Sequence, residues 1–266
     1  MMRRLLVRGM LVGLLAGVLG FGVAHTIGEP PVNKAIAFES YVSHSHHEAD
    51  GMELVSRSVQ STAGLGLGTL VFGVALGGLF ALAFAVAYGR MDALRARGSG
   101  LLLGGLGLVS IYVVPILKYP ANPPSIGQAD TINQRTELYL IMILLSVIIT
   151  IVTLRLRQRF LPRFGAWNGT LLAGAAYVVL VTACYVLLPG VNEVPQQAIP
   201  GVVHAVTNDG VTFPSAVLWR FRVASLAIQI VLWGTLALGF GVLAERLLEP
   251  GSDDAAAEPH GNVDTL

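Results

Sequence analysis

The run His44-Ser45-His46-His47-Glu48 carries the side chains best suited to chemistry in this sequence. Neutral imidazole binds Co²⁺, Ni²⁺ and Zn²⁺, and carboxylates complete the coordination shell of such ions. In an extended segment His44 and His46 point to one face, whereas in a helix His44 and His47 share a face. Either backbone can therefore present two imidazoles to one divalent metal ion. A solvated loop without metal and a pH-sensing cluster are the two alternatives.

Three further residues are candidate metal ligands. Glu39 lies in the same polar loop, at about 28–62. His25 and Glu29 follow an apolar stretch and are four residues apart, so they would lie on one helical face. A carboxylate at a membrane boundary is either an ion ligand near a pore entrance or only a helix-end charge facing water. The predicted set of metal ligands is His25, Glu29, Glu39, His44, His46, His47 and Glu48.

The composition indicates a membrane protein. Of the 266 residues, 54% are hydrophobic and only 12% are charged, against roughly 25% charged residues in soluble domains. These values exclude a soluble globular enzyme, a disordered chain and a nucleic-acid-binding protein. Cys184 is the single cysteine, which excludes a disulfide framework and suggests a small core residue. No nucleophile–base pair or phosphate-binding loop is present, so we expect neither catalysis nor a cofactor.

Six apolar stretches are long enough, or nearly so, to cross a bilayer core of about 30 Å. Backbone polar groups in lipid must be satisfied within the segment, which favours helices. The first stretch is longer than the apolar part of a secretory signal, so we expect it to be retained. The predicted fold is an all-α polytopic membrane protein, with a transmembrane domain at 1–248 and a disordered acidic tail at 249–266. The stretches lie at about 6–27, 64–88, 100–117, 137–154, 168–188 and 216–243.

The basic residues predict the orientation, because cytoplasmic loops carry the excess of Lys and Arg. With the N-terminus inside, eleven of the 17 basic residues lie in inner segments: Arg3, Arg4, Arg8, Arg90, Arg95, Arg97, Arg155, Arg157, Arg159, Arg163 and Arg246. The other six lie in outer segments: Lys34, Arg57, Lys118, Arg135, Arg220 and Arg222. Both termini are therefore predicted to be cytoplasmic, with the histidine run outside.

Two outer features predict specific contacts. Arg222 lies within the last apolar stretch, where an arginine needs a partner, and we expect that partner to be Glu29, Glu137 or Glu193. The proline-rich segment 115–124 is predicted to form a rigid, extended turn, since proline disfavours a regular helix.

Glycines repeat every four residues at Gly9, Gly13 and Gly17, and the same spacing separates the pairs Gly64 and Gly68, Gly73 and Gly77, and Gly100 and Gly104. Such spacing allows close helix packing in lipid. It also suits a moving helix interface in a transporter.

Several segments resemble the CbtA family, which comprises predicted cobalt transporter subunits of bacterial membranes. They are the Glu29-Pro30 pair, the AIAFE stretch at 35–39, the histidine run at 44–48, the KYPANPP segment at 118–124 and the LWRFRVAS segment at 218–225. The resemblance extends over about 3–243 and is most specific in the last two segments. The family is usually described with about five spans, whereas six are counted here.

The resemblance implies cobalt, a bacterial inner-membrane location and a small one-span, histidine-bearing partner of the CbtB type. The residues alone imply only a divalent metal, with Ni²⁺ and Zn²⁺ as alternatives to Co²⁺. Together they predict transport of a metal ion collected by the histidine-rich loop and passed to His25 and Glu29. The alternative is a non-transporting scaffold or metal-sensing subunit, and metal uptake into proteoliposomes would separate the two. The expected partners are the lipid bilayer, the metal ion and the CbtB-like subunit, without nucleic acid.

Overall fold

The computed structural model describes residues 1–45, 55–90, 94–124, 126, 131–191 and 213–249, with the backbone alone at 41–45. Helix is the only regular structure in these ranges. The α-helices are α1 (Met2–Val23), α2 (Glu29–Ser45), α3 (Arg57–Val59), α4 (Leu65–Ala87), α5 (Ala96–Gly107), α6 (Val114–Lys118), α7 (Ile132–Leu187), α8 (Ser215–Thr235) and α9 (Gly241–Leu248). Short π-helical turns join several of them, at Ala24–Gly28, Gln60–Gly64, Leu108–Val113 and Leu236–Phe240.

Within the described residues, five continuous helical segments are long and apolar enough to cross a membrane, which confirms the all-α, multi-pass fold. They are Met2–Ser40, Arg57–Ala87, Ala96–Lys118, Ile132–Leu187 and Ser215–Leu248. To within one residue, four of them each contain one of the six predicted stretches. The remaining two stretches, 137–154 and 168–188, both correspond to α7, which has 56 residues and ends at Leu187.

The long helix α7 turns back on itself at Gly165. This residue has φ 77° and ψ 171°, a non-helical conformation that favours glycine. Arg157 Nε donates a hydrogen bond of 3.0 Å to Thr170 Oγ1, although 13 residues of straight helix would separate them by roughly 20 Å. The two arms of α7 therefore run antiparallel, and they correspond to the two predicted stretches.

In two places a proline lies in the first turn of a helix, although the sequence analysis predicted a loop or an extended turn there. Pro30 and Pro31 lie in the first turn of α2, in a region predicted as loop, and Pro115 lies in α6, within the segment predicted to be extended. Proline removes a helical hydrogen bond and crowds the preceding turn. A π-helical turn lies directly before each of these helices, and its wider spacing accommodates the proline ring without ending the helix. The chain leaves the helix only at Tyr119.

The chain divides into two compact units. The first comprises Met1–Leu19, Gly68–Gly105 and Val231–Leu266. In it, α1 and α4 approach through glycines: a Cβ at Gly9 would clash with the Gly77 carbonyl oxygen, and one at Gly13 would clash with that of Gly73. These glycines of α1 and α4 thus lie in close backbone contact between the two helices.

Ion pairs and hydrogen bonds join other helices of the first unit. Arg97 pairs with the buried Glu245 on α9. Glu249, the first residue of the predicted tail, accepts hydrogen bonds from Tyr88 Oη at 2.9 Å and from the Ala96 amide at 3.0 Å. Burial, and then the Glu249 carboxylate, raise the pKa of Tyr88 above its usual value. The rest of the predicted tail, 250–266, lies outside the described residues.

The second unit comprises Gly20–Leu67 and Leu106–Ile230. Its main apolar cluster joins α6 to both arms of α7, with Tyr119, Met142 and Val181 buried. Cys184 is half-buried and packs against this cluster, as expected of a small core residue. A smaller cluster contains Phe38 of α2 and Phe213, whose rings meet edge to face at 5.2 Å.

Candidate metal site

His25 is oriented as a metal ligand would be. It lies in the π-helical turn Ala24–Gly28, its ring stacks on Phe21 at 5.6 Å, and its Nδ1 is 3.1 Å from the Ser61 carbonyl oxygen. A carbonyl oxygen only accepts, so Nδ1 carries a proton in this contact, and in the neutral ring Nε2 then keeps its lone pair. Histidines that bind metals commonly donate their other ring N–H to such an oxygen. The exposed His25 ring can therefore offer Nε2 to a cation.

Glu29 forms an ion pair with Arg57 Nη2. The Glu29 side chain is only 12% exposed, and that of Arg57 is 29% exposed. Arg57 Nε also donates a hydrogen bond of 3.1 Å to Asn33 Oδ1, so the guanidinium bridges two successive turns of α2. The sequence predicted Glu29 as an ion ligand, and in this arrangement a metal ion must compete with Arg57 for its carboxylate.

These contacts define one seam between two antiparallel segments. His25 lies opposite Ser61, and Glu29 lies opposite Arg57. The residue number rises by four along one segment while it falls by four along the other, so the two segments are antiparallel. We call these four residues the outer seam. His25 and Ser61 both lie in π-helical turns, Ala24–Gly28 and Gln60–Gly64, and such turns are frequent at functional sites.

The other predicted ligands are not assembled within the described part of the chain. Glu39 is exposed on α2. The backbone of His44 is helical, near the end of α2, while His46, His47 and Glu48 lie outside the described residues. Among the described residues, no three His, Cys, Asp or Glu side chains are placed to hold a metal ion together. The outer seam thus offers two candidate ligands, and further ones must come from elsewhere.

Arg222 tests a prediction in part, because Glu193, one of its three predicted partners, lies outside the described residues. Among the residues that the structure describes, Arg222 is held by oxygen atoms of the proline-rich segment rather than by a carboxylate. Arg222 Nε donates to the Ala121 carbonyl at 3.2 Å, and Nη2 donates to Asn122 Oδ1 at 3.3 Å. The proline-rich segment leaves backbone carbonyls without helical partners, and these can accept bonds from a guanidinium. Glu29, one of the predicted partners, is instead paired with Arg57.

Further bonds fix the same segment in place. Lys118 Nζ donates to the Tyr185 carbonyl at 2.8 Å, and Tyr119 Oη donates to the Pro189 carbonyl at 2.8 Å. Arg135 Nη2 donates to the Pro120 carbonyl. Sequence reasoning missed these partners because it matched charges with charges, whereas the acceptors are backbone oxygens. The cationic side chains Lys118, Arg135 and Arg222 thus hold the segment as a fixed structural element.

One family model matches the chain. Its description is "Probable cobalt transporter subunit (CbtA)", and the match covers residues 2–245. The chain belongs to the CbtA family. The matched CbtA region contains the outer seam, the proline-rich segment and Arg222, which confirms the resemblance noted in the sequence. No curated protein and no solved structure matches the chain. The family description as a subunit implies that CbtA proteins work with other subunits.

Proposed function

We propose that this CbtA-family chain carries a divalent transition-metal cation, with cobalt preferred, across the bacterial inner membrane. The family match over residues 2–245 carries the proposal. The chemistry of the outer seam supports it, because a neutral imidazole with a free Nε2 suits Co²⁺, Ni²⁺ and Zn²⁺. His25 and Glu29 are the residues of the seam that would contact the ion.

The topology that we propose has six crossings and two cytoplasmic termini. The reversal of α7 at Gly165 supports it, because the 56 residues of that helix then supply two antiparallel spans. The eleven-to-six distribution of basic residues supports the orientation. In this arrangement residues 28–62 face outward.

The proposed route has a collecting step and a transfer step. His44, His46 and His47, with Glu39 or Glu48, raise the local concentration of the metal ion. The ion then binds His25 Nε2 and displaces Arg57 from Glu29, so that a divalent charge replaces a monovalent one beside the carboxylate. An inside-negative membrane potential would favour inward movement of a divalent ion by roughly 4.6 kcal/mol per 100 mV.

A metal-sensing or scaffolding subunit is the second candidate. The Glu29–Arg57 ion pair favours this function, because a sensor needs a contact with two states. The pair is closed in the present structure, and it would open when a cation binds the carboxylate. A sensor would report that change to another subunit without moving the ion. Co²⁺ uptake into proteoliposomes containing the purified chain separates the two functions, since only a transporter produces it.

The collecting step is tested by replacing His44, His46 and His47 together with alanine. Co²⁺ binding, measured by calorimetry on the purified protein, should weaken, and uptake should fall more at low than at high external metal. Binding should also drop below about pH 6, since imidazoles of ordinary pKa near 6.5 then take up protons. His204→Ala, which removes a histidine far from the run along the sequence, is the matched control. Unchanged Co²⁺ affinity in the triple variant would show that the histidine run is only a solvated segment.

A further inference from the structure

A cleft of about 320 Å³ opens on the second unit and is lined by residues other than those of the outer seam. It lies between two parts of the chain. One is the π-helical turn Ala24–Gly28 with the first turn of α2, and the other is the N-terminal half of α8. We call it the outer cleft. Its volume is at the lower end of ligand pockets, which span roughly 300–1,000 Å³. The cleft is lined by Thr26, Ile27, Pro30, Pro31, Trp219, Arg220 and Val223.

The lining is apolar with one cation. Ile27 is 51% exposed, Val223 is 44% exposed and Trp219 is 68% exposed, so the cleft presents uncovered hydrocarbon. Arg220 is exposed as well. Within the described part of the chain, no carboxylate and no hydrogen bond engages its guanidinium. Glu29, the acidic residue next to Pro30 in the sequence, is already paired with Arg57.

The polar groups at the cleft differ in what they can bind. A guanidinium binds phosphate oxygens through paired N–H groups, and the indole N–H of Trp219 is a further donor. Thr26 Oγ1 donates its proton to the Gly22 carbonyl at 2.7 Å, so its oxygen is left as an acceptor. The cleft therefore fits a ligand with an anionic phosphate, a hydroxyl donor and an apolar chain.

We propose that the outer cleft binds an anionic phospholipid of the phosphatidylglycerol type. Its phosphate would contact Arg220, a headgroup hydroxyl would donate to Thr26, and the start of one acyl chain would lie along Ile27 and Val223. Trp219, which is 68% exposed, would then act as interfacial aromatic residues do, with an apolar ring in lipid and a polar edge at the headgroups. Phosphatidylcholine lacks both the net charge and the hydroxyl donor, so the cleft discriminates against it.

The test is native mass spectrometry of the full chain in detergent, titrated with phosphatidylglycerol or phosphatidylcholine. Wild-type protein should bind phosphatidylglycerol at least about tenfold more tightly than phosphatidylcholine. This is the difference in affinity that one hydrogen bond to a charged group typically produces. Arg220→Gln should remove most of the difference and leave only the smaller share that comes from the headgroup hydroxyl at Thr26. Arg159→Gln, at another exposed arginine, should retain it. Equal affinity for the two lipids, or an equal loss in both variants, would overturn the proposal.

Two further measurements test whether the bound molecule is a lipid and whether it lies in the outer cleft. Val223→Trp fills the cleft without changing charge, and it should also remove the preference for phosphatidylglycerol. Glycerol 3-phosphate at millimolar concentration should not displace the lipid, because it lacks the acyl chain. Retained binding in Val223→Trp would place the lipid elsewhere. Full displacement by glycerol 3-phosphate would identify a site for soluble phosphates instead.

Discussion

At the scale of single residues, the Ser61 carbonyl determines which nitrogen of His25 can bind a metal ion. In the proposed site, the contact at 3.1 Å from Nδ1 leaves Nε2 as the atom that would bind the ion. We therefore expect His25→Ala to weaken Co²⁺ binding about tenfold, the lower end of the range for perturbed metal sites. Calorimetry at pH 7.5 measures it, with His204→Ala as the control. Equal affinities in His25→Ala and wild type would remove His25 from the site.

The Glu29–Arg57 pair makes a second prediction at this scale. Replacing either partner alone leaves a charge in a mostly buried place, so Glu29→Gln and Arg57→Gln should each lower stability by about 1–3 kcal/mol. The double variant should lose less than the sum of the two. Arg57→Gln should also raise Co²⁺ affinity, because the carboxylate becomes free, whereas Glu29→Gln should lower it. Additive losses of stability, measured by unfolding in mixed micelles, would contradict a direct pair.

At the scale of helices, spacing alone does not identify which glycines are in contact. Gly77 of α4 meets the Gly9 carbonyl of α1, whereas Gly68 of the same helix has no atom within 4 Å of an added Cβ. Gly77→Ala should therefore force the helices apart and destabilise the protein by about 1–3 kcal/mol. Gly68→Ala should be neutral or stabilising by up to about 1 kcal/mol through helix propensity. Thermal unfolding of both variants tests this, and equal effects would contradict the observed packing.

The sequence predicted the helices well because apolar length is a strong constraint in a membrane. Each predicted stretch falls within an observed helical segment to within one residue, and the boundary between the two arms of α7 lies where the stretches 137–154 and 168–188 are separated. The helical start at Pro30 was not predicted, and the helix at Pro115 agrees with the predicted stretch 100–117 but not with the extended turn predicted for 115–124. Proline is read locally as a helix breaker, whereas the π-helical turn that accommodates it depends on the neighbouring turn.

The candidate site was predicted less completely. Residue types identified His25 and Glu29 as possible ligands, but the contacts with Ser61 and Arg57 depend on the register between two segments. The partners of Arg222 were missed for a similar reason. Every residue has a carbonyl oxygen, so the sequence does not show which ones remain free to accept a bond.

At the scale of the whole molecule, the proposed topology predicts the accessibility of each loop. In a Cys184→Ala background, a cysteine introduced at Ser45 should react with a membrane-impermeant maleimide in intact cells. A cysteine at Arg159, near the turn of α7, should react only after the cells are permeabilised. These results follow from the excess of basic residues on the inner side. The opposite pattern of labelling would reverse the orientation.

The claim that the chain transports a divalent metal ion is tested most directly by Co²⁺ uptake into proteoliposomes. Purified protein should produce uptake above that of protein-free liposomes, and an inside-negative potential should increase it, since roughly 4.6 kcal/mol per 100 mV acts on a divalent ion. Glu29→Gln should fail at every Co²⁺ concentration, while Glu39→Gln, an exposed acid on the same helix, should retain uptake at saturating metal. Uptake equal to that of protein-free liposomes, with and without the potential, would contradict transport by this chain.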